Sequence, residues 1–187
     1  MMCNNTLIPL GEILIKNGYI RGPFGSSLKR DEMETEGIPV YEQQHAIYGT
    51  RNFRYYISNE KFETLKRFKV QRDDLIVSCS GTVGKVSTIS EKDPIGIISQ
   101  ALLILRANSK IMLPCYLMYY LSSASGNTLL ISESRGSVQS NISSHSEVEK
   151  ILIPIQTMNN QKKIVKILST IDNKIRCNIS INDYLAA

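Results

Sequence analysis

Between Met158 and Leu185 the chain carries neither glycine nor proline. Those are the two residues that most readily end or kink a helix, so so long a stretch without them reads as one continuous helix. Thr157 stands in front of it as a plausible N-cap. Along the stretch Ile164, Leu168, Ile171, Ile175, Asn178, Asn182 and Leu185 follow one another at spacings of 4, 3, 4, 3, 4 and 3, which is a heptad seam. At 1.5 Å per residue such a helix is roughly 40 Å long, too long to lie wholly on a small body, so part of it is expected to project. A projecting amphipathic helix needs a partner to cover its stripe. Asn178 and Asn182 on the seam favour a pairing in which register matters, because a buried Asn penalises mismatched partners. The alternative is a terminal helix lying back on its own domain.

The chain has 187 residues and 42% hydrophobic content, enough for one domain with a real core plus an appended helix. The boundaries that follow are a domain over 1–156 and a helix over 157–187. No apolar run reaches the roughly 18–20 residues that cross a bilayer, and the opening Met1-Met2-Cys3-Asn4-Asn5-Thr6 has no basic region followed by an apolar stretch. The expected location is cytoplasmic, with no membrane partner. Cys3, Cys79, Cys115 and Cys177 are far apart and form no C-x-x-C pair, which reads as four reduced thiols rather than a zinc site or disulfide framework. Net charge is +5, unevenly spread. Residues 1–149 hold 16 Lys and Arg against 15 Asp and Glu, while residues 150–187 hold 6 against 2. If the body binds nucleic acid, it does so through local clusters and not through a pervasive field.

Short mixed elements are expected in the body. Glu12 to Lys16 is a short helix or strand, and Gly22-Pro23-Phe24-Gly25-Ser26-Ser27 is a turn or loop. Pro39 biases Ile38 toward an extended backbone, so Ile38 to Tyr41 reads as extended, and Phe53 to Ile57 reads as a strand. Ser58 caps a short helix to about Leu65. Asp74 to Cys79 is a buried strand, followed by a turn through Gly84 and strands over Lys85 to Ile89 and Ala101 to Leu105. Leu113 to Ser123 is a helix with Pro114 in its first turn, Asn127 to Ser132 a further short helix, and Ile151 to Ile153 a last strand stopped by Pro154.

The catalytic motifs are missing. Gly81-Thr82-Val83-Gly84-Lys85 lacks the spacing of a phosphate loop, and there is no G-x-G-x-x-G and no G-x-S-x-G. His45 and His145 stand alone and read as surface or turn residues, not metal ligands. Asp73-Asp74 and Glu147/Glu149 read as solvated carboxylates. The expectation is a chain with no catalytic residue, no metal and no cofactor, and a stand-alone nuclease reading finds no ligand cluster to support it.

Three polar loops remain. Gln43-Gln44-His45 has Arg51 and Arg54 nearby; Ser26-Ser27-Leu28-Lys29-Arg30 pairs hydroxyls with cations; Arg135 to Asn141 combines a cation with amides and hydroxyls. Arg suits guanine and Gln or Asn suits adenine, while the same groups bind phosphates. Loop Gln and Arg are also common solvated residues.

The order of motifs then points to a family. Pro9-Leu10-Gly11-Glu12-Ile13, Gly22-Pro23-Phe24-Gly25-Ser26-Ser27-Leu28-Lys29 and Gly37-Ile38-Pro39-Val40 open the series. Tyr56-Ile57-Ser58, Asp74-Leu75-Ile76-Val77-Ser78 and Ser80-Gly81-Thr82-Val83-Gly84-Lys85 continue it. Pro114-Cys115-Tyr116-Leu117 with Tyr119-Tyr120-Leu121, Gly136-Ser137-Val138-Gln139, Ile153-Pro154-Ile155 and Gln161-Lys162-Lys163-Ile164 close it. This combination, over nearly the whole chain, resembles the target-recognition domain of Type I restriction–modification specificity subunits.

The resemblance implies an α+β fold: a mixed β-sheet target-recognition domain with short helices, followed by one long C-terminal helix that pairs in an antiparallel coiled coil. Such subunits typically carry two recognition domains and two spacer helices, and each domain reads one half of a split double-stranded DNA site. They recruit methyltransferase and restriction subunits and have no activity alone. This chain has one domain and one helix, as in a half-subunit or truncated form, and two copies pairing through Ile164 to Leu185 would rebuild the arrangement. The expected DNA-contacting residues are Ser26, Ser27, Lys29, Gln43, Gln44, Arg51, Arg54, Ser80, Lys85, Arg135, Gln139 and Asn141. Glycines in the 22–29 loop and 80–85 turn would let the backbone approach phosphates. A second reading is a protein-interaction or inhibitor module that docks on a methyltransferase without touching DNA.

Overall fold

Two short runs, Leu75-Ile76-Val77-Ser78 and Leu102-Leu103-Ile104-Leu105, are buried at every position. A strand with one wet face alternates apolar and polar; a strand covered on both faces reads as a continuous apolar run. In the computed structural model, which describes residues 6–132 and 141–186, both runs lie in a sheet covered on both sides.

In chain order the strands are β1 (Thr6–Pro9), β2 (Leu14–Arg21), β3 (Ile38–Tyr41), β4 (Tyr56–Ile57), β5 (Leu75–Ser78), β6 (Val86–Thr88), β7 (Ile97–Ile98), β8 (Leu102–Ala107), β9 (Ile131–Ser132), β10 (Asn141–Ile142) and β11 (Leu152–Ile155). The helices are α1 (Leu10–Ile13), α2 (Gln43–Ile47), α3 (Asn59–Thr64), α4 (Pro114–Ser122), α5 (Ala124–Leu130), α6 (His145–Lys150) and α7 (Met158–Ala186). The central sheet runs β2-β8-β5-β6, antiparallel throughout, with Leu75 opposite Leu105, Ile76 opposite Ile104 and Val77 opposite Leu103. Alternate side chains therefore enter different cores. Leu75, Val77, Leu103 and Leu105 join a cluster with Tyr116, Leu117 and Leu121 of α4, while Ile76, Leu102 and Ile104 join Val40, Ile57 and Ile97 on the other side. The second layer is a three-stranded sheet, β4-β3-β7, in which β3 and β7 are parallel. Each fully buried Leu or Ile contributes about 1.5–3 kcal/mol relative to exposure, so these two shared strands tie both layers into one body.

Several expectations are corrected by packing. The strand expected from Phe53 begins only at Tyr56, because Phe53 turns in to stack on His45 with ring centroids 4.6 Å apart. His45 is not a surface residue but fully buried: its Nδ1 accepts from Glu42 N–H at 2.7 Å and its Nε2 faces the Asn52 carbonyl at 3.1 Å, which the Nε2–H tautomer satisfies. Burial pushes the His45 pKa down, so the ring is kept neutral. Asp74 is not solvated either; it is 0% exposed and gripped by Arg106 through Nε at 2.6 Å and Nη2 at 2.8 Å. Pro154 does not stop the last strand, which runs on to Ile155 and pairs with β1, placing Pro154 opposite Leu7. A two-stranded ribbon has edges on which a missing N–H costs nothing. The short helix expected at Asn127 begins earlier, at Ala124, where the Ser123 hydroxyl accepts from Gly126 N–H.

Helix α7 has two different halves. Its first turns are riveted to the body by Gln161, 1% exposed, whose Oε1 accepts from Leu113 N–H at 2.8 Å and whose Nε2 donates to the carbonyls of Ile111 and Gln156. Ile164 and Val165 pack against the α4-side core, and Tyr119 of α4 donates its hydroxyl to Asp172 at 2.6 Å. From residue 173 to 185 every position is exposed. Among the described residues no helix is long and apolar enough to cross a membrane.

Candidate nucleic-acid interface

The second layer brings distant polar residues to one rim. Glu42 follows β3 directly, and its backbone is fixed by the buried His45. Arg54, just before β4, donates to both Glu42 oxygens, Nε at 3.1 Å and Nη2 at 2.9 Å. The Arg54 and Arg30 guanidinium carbons lie 5.4 and 5.8 Å from the Tyr55 ring centroid, and Arg30 also donates to the Tyr55 hydroxyl at 3.0 Å. Both arginines sit within cation–π range of one ring. The Glu42 carboxylate raises the Arg54 pKa and the Tyr55 hydroxyl raises that of Arg30, so both stay charged. Gly25, Leu28 and Gln100 complete the walls of this open cleft of about 410 Å³.

One residue beyond Glu42, the Gln43 side chain donates to Ser80 Oγ at 2.6 Å, which joins the start of α2 to the turn after β5. That turn carries Gly81 at φ +63°, a conformation that glycine adopts without a Cβ penalty. Gly25, at φ +61°, has open space where a Cβ would stand, so backbone is bared there too. Gly22 and Gly84 are different: a Cβ would strike the Ser99 carbonyl at one and the Asn127 side chain at the other, which makes them internal packing positions.

The sequence profile of the Type I restriction modification DNA specificity domain matches residues 4–185. The chain belongs to this family. It is 26% identical over 123 residues to a putative type I restriction enzyme MjaX specificity subunit of Methanocaldococcus jannaschii, covering 64% of this chain and 29% of that protein. A chain from a structure of the type I R-M system, described by its complex assembly and conformational transition, aligns over 95% of this chain and 40% of its own length, with TM-score 0.69 and 17% identity. The S subunit of M. genitalium aligns over 96% of this chain and 43% of its own, with TM-score 0.63 and 18% identity. At these identities the structural likeness is one of fold. The chain spans less than half the length of these relatives.

Within this Type I specificity domain the expected contact residues separate. Arg54, Gln43 and Ser80 come together along the rim, with Ser27 and Lys29 exposed on the loop that borders the cleft. Gln44 reaches back to the Asn52 carbonyl at 3.1 Å. Lys85 lies apart, in a second small cleft with Ala46 and Asn127. Arg51 is drawn inward: its Nη atoms meet Asp93 at 2.9 Å and the carbonyls of Thr50 and Thr88, each at 2.9 Å, so it braces the loops and does not face outward as expected. Arg135 and Gln139 lie outside the described residues. For Ser26 and Asn141 only the backbone is described, in the turn Gly25–Ser27 and in β10.

Glu42, Tyr55 and Gln100 escaped the sequence reading. An Arg beside an aromatic residue, Arg54-Tyr55, was the available signal for the stack. Nothing local marks Glu42 as its partner. Among the described residues there is no group of three or more His, Cys, Asp or Glu placed to hold a metal, and Cys79, Cys115 and Cys177 are free. Burial pushes the Cys79 thiol up to about 12, so it is an inert core thiol.

Proposed function

We propose that this specificity-family chain reads one half of a bipartite double-stranded DNA target and delivers that address to methyltransferase and restriction subunits, acting as a pair of copies joined through α7. The observation that carries the reading is the rim itself. Separate stretches of chain place Arg30, Gln43, Arg54 and Ser80 beside two glycine turns with bared backbone, a set able to hold phosphates and read base edges. A body of nearly balanced charge would engage DNA here through the local arginines Arg30 and Arg54 and not through a pervasive field.

The pairing rests on α7. At about 100° per residue, Gln161, Val165 and Asp172 define the side turned to the body. Ile171, Ile175, Asn178, Asn182 and Leu185 define a stripe roughly a quarter-turn away, continued toward the body by Ile167. Ile167, Ile171, Ile175 and Leu185 are 62%, 51%, 50% and 75% exposed. Ile164 is the seam position that packs against the chain's own core. A second copy laid antiparallel on this stripe buries it and supplies the second recognition domain, giving a symmetric split target. The domain boundary near 156/157 belongs to the same proposal, with 1–156 as reader and 157–187 as spacer.

Co-expression with a type I methyltransferase subunit, followed by mapping of methylated bases, tests this directly. The expected result is a two-copy complex that methylates a palindromic split sequence and loses DNA affinity steeply as salt rises. A stable complex with no DNA affinity and no salt response would instead establish a protein-docking module.

A further inference from the structure

We infer that Glu42 is a positioning residue for base recognition: it holds Arg54 side-on so that the remaining edge of the guanidinium is presented as a fork to one guanine. The inference rests on the DNA-reading function proposed above and names the pair that supplies part of its specificity.

A guanidinium has two bidentate edges, Nε with Nη2 and Nη1 with Nη2. Glu42 occupies the first edge completely, at 3.1 and 2.9 Å. Nη1 has no hydrogen-bond partner among the described residues, and the Arg54 side chain is 63% exposed. The free edge therefore carries two parallel N–H groups, which match the O6 and N7 acceptors of guanine in the major groove. The Glu42 side chain is 19% exposed, and its backbone N–H is bonded to a histidine that is itself fully buried. The chain of support runs from the core through His45 and Glu42 to Arg54, while the Tyr55 ring restrains the other side at 5.4 Å. A long side chain held in this way has lost part of its rotamer freedom before DNA arrives, so that part of the ordering cost is absent at binding. An acidic residue on a DNA-facing rim repels phosphate, and this predicts an unusual signature. Removing its charge weakens discrimination at one base pair while total affinity for mixed DNA holds or rises.

The test uses the full chain assembled with a type I methyltransferase subunit and a pool of duplexes randomised across the recognition half-site. Wild type, E42Q, R54A and R54K are each selected on the pool, and thermal unfolding verifies that each folds. The expected result is that E42Q and R54A flatten preference at the same guanine, by roughly 5- to 150-fold in R54A and by less in E42Q. E42Q retains or gains affinity for the unselected pool, the double variant is no flatter than R54A, and R54K, which keeps the charge without the fork, does not restore the preference. Uniform loss across all sequences in E42Q, or loss at a position different from that of R54A, would overturn the inference while leaving DNA reading intact. A wild-type complex that enriches no sequence would overturn both. If E42Q fails to fold, the comparison of R54K with wild type decides: unchanged preference in R54K refutes the fork.

Discussion

Arg106 and Arg54 each grip a carboxylate side-on with two nitrogens, yet one grip lies within the β5–β8 layer and the other on the β3–β4 rim. Asp74 is 0% exposed and Arg106 18%; Glu42 is 19% exposed and Arg54 63%. The chemistry is the same and the solvent is not. Inside, water cannot replace a lost partner, so removing one member of the pair strands the other at a high cost. On the rim, water screens the attraction and the pair adds little stability, which leaves the outward edge of Arg54 available for a ligand. The same residue types thus brace the fold in one region and, in the function proposed, read DNA in the other, and burial separates the two.

The contrast can be broken first at its inner end. Asp74→Ala leaves the Arg106 guanidinium and the Gln71 N–H without their acceptor, and is expected to cost about 3–5 kcal/mol, read as a lowered denaturant midpoint. A loss below about 1 kcal/mol would place the brace and the rim in one class. Next comes Gln161→Leu, which strands the Leu113 N–H at the root of α7 and is expected to cost about 1–3 kcal/mol. Its protection of α7 amides in hydrogen exchange should fall before that of the central sheet.

The smallest effect sharpens the contrast by pH. His45 is buried with a depressed pKa, so between its folded value and the ordinary imidazole value of 6.5 the unfolded chain binds a proton that the folded chain does not. Its contribution to stability is complete above pH 6.5 and is lost as pH falls through the folded pKa. Urea titrations from pH 7.5 downward should show this decline, and His45→Gln should flatten it; an unchanged slope in the variant would show that His45 does not titrate with unfolding.

Much of the fold is legible in local chemistry. The Ser58 hydroxyl accepts from Lys61 N–H and the Thr157 hydroxyl from Asn160 N–H, as cap residues do, and Pro114 opens α4. The strand β2 was less clear, because its eight residues include Asn17 in a left-handed conformation and a break in register with β8 between Leu14 and Tyr19. A bulge of that kind interrupts the periodicity on which strand reading depends. In the candidate site, Gln43 and Arg54 are marked by local polar chemistry, whereas Ser80 was marked only by the resemblance to the family. Arg51 was indistinguishable from Arg54 in sequence, although three positions later the chain turns outward.

The sequence by itself determined the long terminal helix, its apolar seam and the double-sided burial of β5 and β8, because helix breaking, periodicity and apolar runs are properties of neighbouring residues. Tertiary structure alone decided that Arg51 turns in to Asp93 while Arg54 is held at the surface by Glu42, that His45 is neutral core, and that α7 is anchored along its first half, from Gln161 to Asp172. Those outcomes depend on which groups meet across the fold and on how much water remains between them. Neither quantity is written in the spacing of residues along the chain.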